Sequence, residues 1–495
     1  LGGPTLARRL KGRRDALPQA ARTFYRMLAV EVEVHGSNAA EVVEIAPGED
    51  GSVHVTIEGD DGQARYSRHF RPDHTSEVRL HLKGGNDRVL RREGTGAITV
   101  RVIGGAGDDV VDDSAQGGTR VYDAEGEDRV LRGQGTSWDR RPYTPPHDTT
   151  GQPARDWGRS VLGTPLLSGG GDLGLFLGFR VSLVDFGFRK HPYSVLHSLR
   201  GGWATGLSAA QTEYTGEVYR TNSPAHGRLV ARASQIDILR FYGLGNDTSD
   251  AEGEDFFRVE QRHLMLAPSL HLSLRPFDLE LGAVASHSST PTPGGTFVGT
   301  VRPYGSGDFG QAGLRTRLRL GQRDLARTAS GYAWVGGTYF PEVWHVESHF
   351  GTLEGQAAAF LASHESALGP QLGVRVGAKR VFGRFPFHES AFVGGPDQVR
   401  GLRPQRYAGE ASAFGSVELH LRLARVRVLL PGELGVMGFA DAGRVWADGD
   451  EGGGWHTGAG GGLWLAPLKR SAAVALALAQ AEGATRLYIQ AGFGF

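Results

Sequence analysis

The chain has 495 residues, with 54 Lys+Arg against 54 Asp+Glu, 75 Gly and no Cys. Balanced charge gives no global field for nucleic acid, so no nucleic-acid partner is expected, and the missing thiols exclude disulfides and Cys-ligated metal centres. Hydrophobic residues make up 39% and no apolar run approaches the ~18 residues a membrane-crossing helix needs, which excludes a helical membrane protein but not a β-barrel.

The chain opens without an initiator Met or a visible leader, and a mature or excised portion of a longer polypeptide is the simplest expectation. Residues 1–29 form a basic amphipathic segment in which 4–29 carries seven bases and one acid. Leu6, Leu10, Leu17, Phe24, Met27 and Leu28 predict helix, with Pro18 starting a second helix after Asp15. Two roles fit this segment: an interfacial helix on anionic lipid, or a connector helix packed on its own domain.

Residues 30–130 read as a small β-rich domain, with 21 acids against 11 bases over 31–130. One element recurs, beginning at Gly85, Gly107 and Gly126, 22 and 19 residues apart, each a G-x-D turn feeding a Val-led strand. This spacing predicts a small stacked β-domain or a short β-solenoid. Residues 104–111 (GGAGDDVV) also fit one copy of a calcium-binding nonapeptide, which nominates Asp109 and Asp112 as oxygen ligands for calcium. The alternative makes both turn formers bonded to nearby backbone, with no cofactor. Residues 131–154, rich in Pro, Thr and Gly, read as a linker.

From 155 to 495, alternation dominates. In 312–320 (AGLRTRLRL), Leu314, Leu318 and Leu320 oppose Arg315, Arg317 and Arg319; in 417–423, Val417, Leu419, Leu421 and Leu423 oppose Glu418, His420 and Arg422. Charges opposite an unbroken apolar row suit a wall between lipid and a wet lumen. At roughly 21 residues per strand and turn this length supplies about 16 strands. The fold class is therefore all-β: a transmembrane antiparallel β-barrel of about 16 strands, preceded by a basic helix and a small β-rich domain. The first barrel strand is expected near 173–180.

Catalytic signals are thin, and no enzyme activity is expected of this chain. Residues 169–174 match G-x-G-x-x-G but precede a strand, not a helix. In 345–349 (HVESH), His345, Glu347 and His349 would share one strand face as a metal site, or serve as lumen or loop side chains.

The chain ends RLYIQAGFGF, in which Leu487, Ile489, Phe493 and Phe495 lie on one apolar face. This resembles the C-terminal targeting strand of bacterial outer-membrane barrels, and implies the barrel assembly machinery as a partner during biogenesis. Residues 392–402 (FVGGPDQVRGL), followed by 414–423 (FGSVELHLRL) and 439–446 (FADAGRVW), resemble the carboxy-terminal barrel of the bacterial surface-antigen superfamily. That superfamily includes barrel assembly factors, two-partner secretion transporters and chloroplast import channels. Its hallmark is a Val-Arg-Gly-aromatic tip on a loop folded into the lumen, whose Arg meets acids on following strands. The matching positions are Arg400 and Gly401, Glu418, and Phe439, Asp441 and Gly443, with Leu402 in place of the aromatic. Residues 241–248 (FYGLGNDT) add a likeness to a segment common early in such barrels.

The resemblance implies residence in the outer membrane, contact with its lipid, and translocation or insertion of a macromolecule, protein or lipid. Polypeptide-transport-associated repeats are not recognisable. The first 150 residues bear a fainter resemblance to the connector of proteins fusing a calcineurin-like metallophosphoesterase to this barrel type. That implies an alternative, an anchor and export barrel for an upstream esterase, whose motifs do not occur here as a set. A passive diffusion pore is the third reading.

Overall fold

The computed structural model describes residues 3–146, 152–170, 173–322, 328–363, 369–427, 431–450, 453–467 and 473–491. It falls into two compact units, Leu1–Gly158 and Arg159–Phe495.

The first unit begins with α1 (Gly3–Ala29). It runs as one helix through Pro18, not as the two the sequence suggested. Pro18 removes one backbone donor, but the Ala and Leu residues on both sides are strong helix formers. Eleven short strands follow: β1 (Glu31–His35), β2 (Glu41–Pro47), β3 (Val53–Gly59), β4 (Ala64–Phe70), β5 (Glu77–Gly84) and β6 (Arg88–Arg91), then β7 (Thr99–Ala106), β8 (Val110–Asp112), β9 (Arg120–Tyr122), β10 (Arg129–Leu131) and β11 (Ser137–Asp139).

β1, β5, β7, β9 and β11 stack in parallel as one sheet; β10, β8, β6 and β2 stack in parallel as the other, which the antiparallel strands β3 and β4 extend. Each rung of this solenoid gives one strand to each sheet. Val43, Ile45, Val78, Leu80, Val89, Val100 and Val102 fill the space between them, almost wholly buried. The recurring G-x-D turn is what stacks the rungs. Asp87 N–H donates to the Asp109 carboxylate at 2.9 Å, and Asp109 N–H to Asp128 at 3.1 Å. Glycine leads each turn because the turns lie directly on one another: a Cβ on Gly126 would stand 1.7 Å from the Gly107 carbonyl oxygen.

The segment read as a linker from 131 to 154 is partly structural. β11 completes the first sheet beside β9, and Trp138 packs against the core. An alternating Ser-Trp-Asp is enough for one more rung. Farther on, Asp156 bonds the buried Arg79 at 3.0 Å.

The second unit is a closed antiparallel barrel of 16 strands. They are β12 (Arg159–Gly170), β13 (Leu175–Gly187), β14 (Lys190–Ala204), β15 (Ala209–Tyr219), β16 (Ala225–Ser234), β17 (Arg262–Leu274), β18 (Phe277–Thr290) and β19 (Gly307–Gln322). They continue with β20 (Ala329–Phe340), β21 (Phe350–Ala362) and β22 (Gln371–Gly383). A small inner hairpin, β23 (Ala391–Val393) and β24 (Tyr407–Gly409), interrupts the order. β25 (Ala411–Arg427), β26 (Pro431–Trp446), β27 (His456–Pro467), β28 (Val474–Ala481) and β29 (Ala484–Ala491) complete the ring. The first barrel strand is thus 159–170, and the segment near 173–180 belongs to the second. Residues 159–170 hide their role because Val161 and Leu162 are both exposed and Pro165 sits in the middle, so the sequence does not alternate cleanly.

The wall sorts its side chains as expected. Leu314, Leu318, Leu320, Val417, Leu419 and Leu423 are exposed on the outer face. Inside, Arg315 pairs with Glu280 at 2.7 Å and Arg317 with Glu354 at 3.0 Å. Among the described residues no helix is long and apolar enough to cross a membrane; the strands do the crossing. A ring that satisfies its own backbone, apolar outside and charged inside, is what a bilayer demands. The second unit has the build of a membrane-spanning β-barrel. Connections alternate in length: long ones at 235–261, 291–306 (with the short helix α2, Phe297–Val301), 341–349 and 384–410 share one end, and tight turns such as 188–189 and 275–276 the other. β12 begins, and β29 runs out, at the short-turn end.

Candidate functional site: a loop tip held by buried carboxylates

Inward positions of β25 and β26 build the site. Alternation turns Ser416, Glu418 and His420 to the lumen, and register sets Ser416 opposite Asp441 and Glu418 opposite Phe439. Into this patch the 384–410 loop delivers Arg400, itself 3% exposed.

The Arg400 guanidinium grips Asp441 with two parallel bonds, Nε to Oδ2 at 2.7 Å and Nη2 to Oδ1 at 2.7 Å. Its Nη1 donates to Glu418 and its Nη2 to the Ser416 hydroxyl at 3.0 Å. The Arg400 backbone N–H adds a further bond to Asp441 at 3.0 Å. Phe439 lies beneath, its ring centre 3.6 Å from the guanidinium carbon. Both acids have fully buried side chains, and the guanidinium is their shared countercharge. Glu418 holds a second partner, His420.

The neighbouring strands make room for the tip. Gly458 on β27 lies under the Arg400 carbonyl, where a Cβ would come within 2.0 Å of its oxygen. Gly443 faces Val393 and Val399, each 2.8 Å from where its Cβ would be. Gly401, at φ +95°, donates its N–H to the Tyr488 hydroxyl on β29 at 2.9 Å. Leu402 is buried with Val393, Val399, Tyr407, Val445 and Ala481. The ring at this site therefore comes from Phe439.

The loop is held along its length. Arg375 on β22 donates to the Asp397 carbonyl at 2.7 Å. Gly245 N–H bonds the Ala408 carbonyl at 2.8 Å, and Asn246 donates to the Val445 carbonyl at 2.7 Å while accepting from Val445 N–H at 3.2 Å. Arg406 stands between the rings of Tyr242 and Tyr407 and bonds Thr248 at 2.9 Å. The 241–248 segment is thus the clamp that fastens one inward loop to the other. Phe241, Phe387, Ile238, Val259 and Ala408 give the joined loops an apolar core of their own.

Arg400, Gly401, Glu418, Phe439, Asp441 and Gly443 all meet at this one place. Ser416, Gly458, Arg375 and Tyr488 complete it and were not singled out from sequence. Tyr488 had a usable signal, an aromatic on the inward row of the last strand. Leu487 is exposed outward and Ile489 half-buried; Phe493 and Phe495 lie outside the described residues.

The other candidate groups lie elsewhere. His345, Glu347 and His349 lie in a loop, not on a strand. His345 accepts from Gly310 N–H, Glu347 pairs with Arg384 and His349 with Glu342, so they do not form one ligand set. Of the G-x-G-x-x-G match, Gly169 lies opposite Leu175 in the first hairpin of the barrel, and Gly171 and Asp172 lie outside the described residues. Asp112 spends its carboxylate on Ser114, at 2.6 Å to the hydroxyl. The acids that converge with Asp109 are Asp123 and Asp128, whose ligand atoms lie within 4.8 Å of one another. Burial, with the neighbouring acids Asp128 and Asp109, pushes the Asp123 carboxyl up to about 7; burial, with Asp109 and Glu41 nearby, does the same to Asp87.

The barrel's closure is uneven. β12 is in register with β13 from Arg159 opposite Asp185 to Gly169 opposite Leu175. With β29 it pairs, among the described residues, only through Gly169 opposite Ile489 and Gly170 opposite Tyr488.

No sequence-family model and no curated protein matches the chain. Among solved structures it is similar to BamA from Haemophilus ducreyi lacking POTRA domains 1–3, with a TM-score of 0.47 and 12% identity over 70% of this chain and 74% of that one. It is also similar to CdiB from Acinetobacter baumannii (TM-score 0.45, 9% identity, 70% of this chain and 63% of that one). CdiB from Escherichia coli gives a TM-score of 0.44 and 12% identity over 73% of this chain and 66% of that one.

Proposed function

We propose that this barrel inserts or translocates a macromolecule, protein or lipid, at the outer membrane, with the β12–β29 seam as its working edge and the Arg400 loop as its brace. The observation that carries the reading is the seam. Among the described residues, which stop at 491, β12 and β29 share two glycine-containing register pairs, against eleven between β12 and β13. An edge with unpaired N–H and C=O groups is costly in lipid, and it is a template for an incoming strand or a defect through which lipid can pass. The brace keeps the rest of the wall rigid while that edge yields. Tyr488 connects the two, since it lies in the seam pairing and accepts from the loop tip at Gly401.

Reconstitution tests this. Vesicles carrying the protein should speed membrane insertion of an unfolded outer-membrane barrel, or exchange of lipid between leaflets, over protein-free vesicles. Strong conductance with neither acceleration would assign the chain to the diffusion-pore reading. A native polypeptide well above 53.0 kDa in isolated outer membranes, bearing phosphoesterase activity, would support the anchor reading.

A further inference from the structure

α1 buries only Ala29. Among the described residues it meets the solenoid through Tyr25, whose hydroxyl is 3.5 Å from Arg68 and whose ring meets His74 edge-on at 5.7 Å. Residues 3–28 are all exposed.

What it leaves uncovered is ordered. At about 100° per residue, Leu6, Leu10, Leu17, Phe24 and Leu28 fall within an arc of about 40°. Each of these is roughly half exposed or more. Arg8, Lys11, Arg22 and Arg26 occupy the opposite side, and Arg9, Arg13 and Arg14 the flanks. Asp15 is the helix's one acid, and Arg14 already pairs with it at 2.6 Å.

Gly12 and Pro18 each weaken the helix between its Ala- and Leu-rich stretches, and helices in proteins are held chiefly by what covers their apolar face. The charge pattern selects the cover. A second copy of α1 would bring seven bases against seven, and Arg13 would occupy the seam position between Leu10 and Leu17. An anionic bilayer surface meets both needs at once, taking the apolar stripe into the acyl boundary and the bases among the phosphates. The helix is too polar to cross, so it lies flat.

We propose that α1 is an interfacial helix that binds an anionic phospholipid surface through Leu6, Leu10, Leu17, Phe24 and Leu28, flanked by its arginines. The inference is independent of the seam and of any cargo.

The chain has no Cys, so single cysteines can be placed along α1 of the full-length protein and labelled with an environment-sensitive fluorophore. The labelled protein is reconstituted in nanodiscs of phosphatidylcholine, with or without phosphatidylglycerol. Labels at 6, 17 and 24 should shift to the blue and be quenched by lipid-borne quenchers when phosphatidylglycerol is present; labels at 8, 22 and 26 should not. High salt, or Arg8→Glu with Arg22→Glu, should abolish the pattern while the barrel's heat-dependent gel mobility stays unchanged. Equal, water-like spectra at all positions in both discs would overturn the proposal. So would shielding that persists in detergent and rises with protein concentration, which would make a second copy the cover.

Discussion

Truncating Arg400 would leave Asp441 and Glu418 buried without their shared cation. The structure ranks the consequences. After Arg400→Ala, Glu418 still has His420, whereas Asp441 keeps neutral donors, the Ser416 hydroxyl at 2.6 Å and the backbone N–H of residue 400 at 3.0 Å. After Asp441→Ala, the guanidinium retains Glu418, Ser416 and the Phe439 ring. After Glu418→Ala, the two-pronged grip on Asp441 is intact. Breaking a buried pair costs about 3–5 kcal/mol, so Arg400→Ala and Asp441→Ala should fall in that range and Glu418→Ala below it. Because one interaction is lost in both, Arg400→Ala/Asp441→Ala should cost less than the sum of the singles, with a coupling of about 2–3 kcal/mol. Urea unfolding of each variant in lipid vesicles, followed by tryptophan fluorescence, gives these values. Conductance in planar bilayers should rise for both single variants, since the loop tip is no longer tied to the wall. Additive costs within about 0.5 kcal/mol, or unchanged conductance in both variants, would refute the lock.

Gly458→Ala should free the loop tip as effectively as Arg400→Ala, because its Cβ would press on the Arg400 carbonyl, while Gly438→Ala, with its nearest neighbour 4.0 Å away, should change neither melting nor conductance. Asn246→Ala strands the buried Val445 backbone groups and should destabilise the joined loops by about 1–3 kcal/mol, read as faster protease cleavage within 384–410. In the solenoid, Asp87 and Asp123 carry folded pKa values of about 7, above their ordinary 3.8. Their favourable neutral forms are fully present below 3.8 and lost as pH rises through 7, so their contribution to stability declines across that window. Asp123→Asn should therefore raise the unit's unfolding temperature at pH 8 relative to wild type and leave it nearly unchanged at pH 4; an equal shift at both would contradict the assignment.

Much of this architecture is legible in the sequence because a barrel wall obeys a period of two. Leu314 and Arg315 declare lipid and lumen without any tertiary knowledge, and an Arg with two downstream acids declares a buried partner set. The G-x-D turns at 85, 107 and 126 likewise announce stacked rungs, since the glycine and the carboxylate are both demanded by turn-on-turn packing. What stays hidden depends on register or on chain brought from afar. Gly458 matters only because β27 places it beneath Arg400, and Tyr488 only because the ring closes beside the loop tip. Asp123 meets Asp109 and Asp128 from a different turn, a convergence that the contiguous 109–112 spacing does not show. The first strand, with Pro165 and adjacent exposed apolar residues, shows no alternation to read.

The seam is the claim on which the function rests, and it can be clamped. Ser168 and Gln490 are one register step beyond the last pairing of β12 with β29. Ser168→Cys with Gln490→Cys, oxidised in an otherwise Cys-free barrel, would bridge the strands; a matched bridge between β13 and β14 is the control. Insertion or lipid exchange should stop in the seam-bridged protein and return on reduction, with the control unaffected. Full activity with the seam covalently shut would contradict the account.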